Sequence, residues 1–159
     1  MEAIIRLPRN WTPAEHSWSA ILNHQPSIST VCEYHALDCR GGDPSLGLNV
    51  SSLKEFQWIS TSQNGSGPSN WSWEVSSGYW YHIAQVNDGE FVTMYVDGSR
   101  TMRTATEPQH GLLAIPGEPW NIGMSSWMGA LDSPFAGEIA EIRINGRALP
   151  RDEWLYDQR

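Results

Sequence analysis

Apolar, β-branched and aromatic residues in this chain arrive in short runs, each closed by a cluster of Gly, Pro, Asn, Asp or Ser before it grows long enough for a helix. Short strands at intervals of roughly 8 to 12 residues, divided by turn residues, are the signature of an all-β sandwich or barrel. The runs lie at Glu2 to Leu7, Ser17 to Leu22, Ser27 to Ala36, Leu46 to Val50, Glu55 to Ser60, Trp71 to Val75, Tyr79 to Val86, Phe91 to Val96, Gly111 to Ile115, Trp120 to Met124 and Phe135 to Ile144. Asp97-Gly98 tolerates positive φ and closes a tight hairpin after Phe91 to Val96. Asn87 to Glu90 joins that run to Tyr79 to Val86, so the region reads as an antiparallel meander. Leu149 to Leu155 reads as one helical turn, with Pro150 at an allowed early position and Trp154 pinning the turn to the body.

A length of 159 residues fits a single core, so residues 1–159 form one domain. The opening Met1 to Pro8 has neither the basic start nor the apolar stretch of a signal peptide and falls straight into strand sequence, as a piece of a larger precursor would. The net charge of -8, with only 10 scattered Lys and Arg, excludes a polyanion partner such as nucleic acid. No apolar run of about 18 residues is present, so no helical membrane insertion is expected. Cys32 and Cys39 do not match a redox or zinc spacing. They fit a disulfide across a short loop, worth roughly 2 to 3 kcal/mol, or else two buried thiols.

Five motifs from Leu46 onward carry a resemblance. They are Tyr79-Trp80-Tyr81-His82-Ile83-Ala84, Met94-Tyr95-Val96-Asp97-Gly98, Trp120-Asn121-Ile122-Gly123, Phe135 to Ile144, and Arg147-Ala148-Leu149-Pro150. In this order and spacing they resemble the laminin G-like (LamG/pentraxin-like) jelly-roll domains of the concanavalin A-like lectin/glucanase superfamily, including modules attached to secreted bacterial hydrolases. The resemblance implies a two-sheet antiparallel jelly-roll sandwich with a short C-terminal helical turn. It also implies a non-catalytic recognition module, exported as part of a longer chain whose linked domains are its neighbours. The family usually has a strand before the one at Glu2, and its absence implies an uncovered sheet edge at Glu2 to Leu7. Ala140 stands where the family commonly has Asp, which weakens a cation site relying on that carboxylate.

The same superfold hosts glucanases and lyases, so a hydrolase or lyase is an alternative to be tested at the level of sites. Glycoside hydrolysis needs two carboxylates on one face, whereas Glu138 and Glu141, three apart on one strand, should face opposite ways. His82 belongs to a family motif and reads as a packed, hydrogen-bonded residue rather than a base. Relatives often hold calcium at the sandwich rim, and Asp43, Asp88, Asp132 and Glu138 are the candidate ligands here, each equally readable as a solvated acid. No other cofactor is implied.

The tryptophans carry the functional expectation. Trp80, Trp120 and Trp154 fall inside family motifs and should be core. Trp71 and Trp73 are two apart, which on a strand places them on one face, and Asn70 beside them could bond hydroxyls. Trp127 sits in a Gly-containing loop, and Trp58 lies on a strand and could belong to the core group or to this one; with Trp71, Trp73 and Asn70 they form the candidate surface for a glycan or polysaccharide, burial of the four indoles under long loops being the equal alternative. A protein-protein or intramolecular packing module is the alternative binding function.

Overall fold

Leu46, Leu48 and Val50 alternate along one run and Phe56, Trp58 and Ser60 along the next. In the computed structural model these runs pair residue against residue, which turns all six side chains to one side. The structure describes residues 1–25, 45–62, 69–103, 106–126 and 130–158. Its strands are β1 (Glu2–Arg6), β2 (Ser19–His24), β3 (Leu46–Val50), β4 (Glu55–Ser60), β5 (Ser69–Glu74), β6 (Trp80–Asn87), β7 (Val92–Val96), β8 (Ser99–Arg100), β9 (Trp120–Ile122) and β10 (Glu138–Arg143). One sheet has the order β10-β1-β6-β7-β8 and the other β5-β4-β3-β2-β9, with every strand pairing antiparallel. This is the expected jelly-roll sandwich. A short helix, α1 (Pro13–His16), precedes β2, and two 3-10 turns, Arg151–Glu153 and Leu155–Gln158, follow β10.

The core is the inner faces of both sheets. Ala3, Ile5, Ile83 and Met94 come from one sheet and Leu22, Leu46, Leu48, Val50, Phe56 and Trp58 from the other, all essentially without exposed surface. Each large side chain among them contributes about 1.5 to 3 kcal/mol by leaving water.

The β7–β8 hairpin forms as the sequence implies. Asp97 and Gly98 take φ of 46° and 72°, and the Asp97 carboxylate accepts the His82 amide at 2.9 Å. Gly111 to Ile115 does not form a strand; it crosses the surface as a loop that buries Ile115. The run Ser27 to Ala36 lies outside the described residues, as do Cys32, Cys39 and Asp43.

The expected open edge at Glu2 to Leu7 is absent. β1 is flanked by β6 on one side and β10 on the other, because the strand that covers it arrives from the far end of the sequence. A second correction comes from a β-bulge. Ile4 pairs with Glu141 and Ile5 with Ile139, leaving Ala140 as the extra residue. Glu138 and Glu141 therefore share the outward face instead of opposing each other. Glu138 is held there in an ion pair by Arg6.

Just before this bulge, Gly137 passes close to β1. A Cβ there would collide with the Arg6 carbonyl and the Phe135 ring. Gly137→Ala must then push β10 off β1, an overpacking strain of roughly 1 to 3 kcal/mol. The check is urea unfolding, with a lowered midpoint and an unchanged slope expected.

Candidate recognition site

At the end of the sandwich where β4 begins and β5 ends, aromatic and charged side chains gather. Trp71 pairs with Gln57 across the β4–β5 ladder, so its ring stands on the outer face, opposite to the inward Asn70, which pairs with Trp58. A bulge then disturbs β5, since Glu55 pairs with Glu74 but Gln57 with Trp71. Simple alternation between Trp71 and Trp73 is therefore lost. The two indoles still converge, because the Arg103 guanidinium lies 5.5 Å from one ring centroid and 5.4 Å from the other. Arg103 is fixed by an ion pair to Glu55 and by donation to the Ser72 carbonyl at 3.1 Å. Its own carbonyl accepts the Trp71 amide at 3.0 Å, which ties its segment to β5.

Trp18 completes the group, and nothing in its sequence context singled it out. It is 49% exposed and holds φ of 60°. A bulky residue in that left-handed region is strained, and such strain concentrates at sites of function. Its ring meets Trp71 edge-on at 6.4 Å. Because β2 and β5 are separated by two strands, they stand roughly 14 Å apart at a spacing of about 4.8 Å. Both rings must lean inward over the outer faces of β3 and β4. The ladder places Asn49 and Gln57 on that face, in the same rung as Trp71.

Beside this cluster an open cleft is lined by Trp11, Leu53, Lys54, Glu55, Trp73 and Glu74. Lys54 sits 5.6 Å above the Trp11 ring and pairs with Glu74 at 3.2 Å. Both cations of the region thus have carboxylate partners.

The expected ligand residues divide. Trp71 is half-buried and Trp73 is 64% exposed, so both can present ring surface. Trp58 and Asn70 are fully buried, because both point between the sheets, and neither can touch a ligand on the surface. Trp127 lies outside the described residues. Of the three tryptophans expected in the core, only Trp154 is buried. Trp80 lies on the outer face under the Arg6 guanidinium, and Trp120, on edge strand β9, stacks against His24 at 4.3 Å. Burial pushes the His24 pKa down, against the opposing hydrogen bond to the Glu118 carbonyl.

The acidic candidates are dispersed. Asp88 accepts the Phe91 and Glu90 amides at 2.8 and 3.0 Å, bonds that hold its carboxyl below the usual range. It is a turn-former. Asp132 belongs to a loop bridge with Ser125, and Glu138 pairs with Arg6. Among the described residues no three His, Cys, Asp or Glu side chains group to hold a metal ion.

His82 is packed as expected. It is fully buried, and its Nε2 lies 2.9 Å from Glu2 Oε1. The other oxygen of Glu2 pairs with Arg143, and the Leu155 amide donates to Oε1 at 2.8 Å. Trp154 and Tyr156 of the terminal turns close over the His82 ring at 6.1 and 5.7 Å. This cluster clips the C-terminal turns to the first sheet.

Comparison with known families agrees with this architecture. The model of the Laminin G 3 family, of the concanavalin A-like lectin/glucanases superfamily, matches residues 10–153. The chain belongs to this family. A search of curated proteins found no match. Laminin G-like domains are generally non-catalytic, and here His82 and Glu2 are buried beneath the terminal turns, with Arg143 a quarter exposed beside them. In this laminin G-like domain the tryptophan-rich end of the sandwich exposes Trp18 and Trp73.

Proposed function

We propose that the domain is a carbohydrate-recognition module whose contact surface is Trp18, Trp71 and Trp73 with Arg103, Gln57 and Asn49. The observation that carries this reading is the convergence of three indoles at one end, with Trp18 and Trp73 49% and 64% exposed. Indole faces suit the apolar side of a pyranose ring, while neighbouring carboxamides and the guanidinium suit its hydroxyls. Because Arg103 and Lys54 are neutralised by Glu55 and Glu74, the surface favours uncharged sugars. We place the module outside the cell, attached to an enzyme or surface protein that it holds near a glycan.

The test is affinity electrophoresis in gels containing neutral or acidic polysaccharide. Trp18→Ala and Trp73→Ala should each weaken retardation by at least tenfold in a neutral gel, about 1.4 kcal/mol. Both residues are exposed, so the thermal midpoint should hardly move. Equal migration of the wild type and both variants, with and without polysaccharide, removes the reading. A packing module is favoured by one observation only: among the described residues β10 has a strand partner on one side alone. Stabilisation by a flanking domain together with unretarded migration would select it.

A further inference from the structure

The opposite end of the sandwich carries a second feature. Where β1, β3 and β7 begin and β4 and β6 end, a cavity of about 380 Å³ opens between the sheets. That volume falls within the range of small-molecule sites, roughly 300 to 1,000 Å³. Its walls include Leu46, Val92, Leu112, Leu149 and Trp154.

The floor is polar, and its position in the sheets is unusual. Ser60 pairs with Leu46 and Gln85 with Met94, so both occupy inward positions where their neighbours along the strands are Trp58 and Ile83. Inward polar side chains cost free energy unless they are satisfied. Here they join a buried chain: Gln85 Nε2 donates to Ser60 Oγ at 3.3 Å, and Ser60 Oγ donates to Gln109 Oε1 at 3.0 Å. Gln109 is fully buried, and its backbone carbonyl accepts Asn87 Nδ2 at 3.3 Å. On the wall, Asn145 carries a buried Nδ2 that has no hydrogen-bond partner among the described residues. A bound oxygen would satisfy it.

The two charged side chains at the margin are already committed. Glu2 belongs to Arg143 and His82, and Arg147 pairs with Glu153. No side-chain charge is left for an ionic ligand, and the Met1 α-amino group, whose pKa burial pushes down, donates to the Gln85 carbonyl at 2.9 Å. From an apolar wall, a carboxamide and hydroxyl floor and neutralised charges, we infer that this cavity is a second binding site. Its ligand is an uncharged amphipathic small molecule, with an apolar body against Leu112 and Trp154 and a hydroxyl or carbonyl against Gln85, Gln109 and Asn145. The site is independent of the tryptophan cluster, since the two lie at opposite ends of the strands.

The probe is 1-octanol, with octanoate as its charged counterpart, followed by the side-chain amide signals of the ¹⁵N-labelled domain. Octanol should produce saturable shifts at Gln85, Gln109, Asn87 and Asn145, and octanoate should bind at least tenfold more weakly. Ala148→Trp places an indole at the cavity mouth from an exposed position and should abolish the shifts while the remaining spectrum is preserved. If that variant fails to fold, Leu112→Trp repeats the block from the loop wall. Four outcomes each overturn the inference: no saturable shift, equal binding of octanoate, shifts centred on Trp18 and Trp73, or shifts that persist in a folded blocked variant.

Discussion

Glu2→Gln is expected to destabilise the domain by about 3 kcal/mol, because it leaves the largely buried Arg143 cation beside a neutral amide. For a chain of this size that is roughly a 10 °C drop in midpoint. The same carboxylate sets an acid limb. Burial alone would raise its pKa, but the hydrogen bonds from Arg143, the Leu155 amide and His82 outweigh burial and hold it below the ordinary value. A depressed pKa means the folded state binds this proton less readily than the unfolded chain does. The stabilisation is therefore full above about pH 4.3, the unfolded value, and is lost as pH falls through the lower folded value. Urea midpoints measured from pH 7 down to pH 3 should fall more steeply for the wild type than for Glu2→Gln. Parallel curves would show that Glu2 is not the titrating group.

Trp58→Ala should cost about 3 to 5 kcal/mol, the usual result of emptying a large aromatic site in a packed core. The indole has no exposed surface and lies between Leu48 and Asn70 in the ladder. Trp73→Ala removes the same side chain from a 64% exposed position and should cost less than about 0.5 kcal/mol. Calorimetry on the two variants checks the assignment of roles. A small loss for Trp58 or a large one for Trp73 would reverse it.

What the sequence disclosed follows from how locally each feature is determined. β3 and β4 were legible residue for residue, since alternation of Leu46, Leu48 and Val50 with polar neighbours specifies a half-buried strand unaided. The Asp97-Gly98 hairpin was legible for the same reason: its φ values are a property of two adjacent residues. The neighbours of β1 were not legible, because β10 is more than a hundred positions away and pairing at that distance leaves no local mark. Bulges defeated strand arithmetic twice, at Ala140 and at Ser72-Trp73. One added residue flips every inference about which faces are shared.

The candidate site shows the same division. Trp71 and Trp73 stood out by their spacing, but the arginine that joins them is thirty positions on and Trp18 more than fifty before. Motif membership misplaced Trp80 and Trp120. A motif fixes where a residue lies along a strand and says little of whether a neighbouring strand will cover it. Trp58 and Asn70 were misjudged because the pleat turns both inward, and only the register reveals that.

The pairing of β1 with β10 has a mechanical consequence. Glu2 stands opposite Arg143, so the start of the first strand and the end of the last meet at one margin of the sheet. Tension applied through the residues flanking these two positions would peel the ladder like a zipper, one rung at a time, instead of shearing all its rungs together. The Glu2–Arg143–His82 clip sits at the tab of that zipper, where the first rung would have to give way.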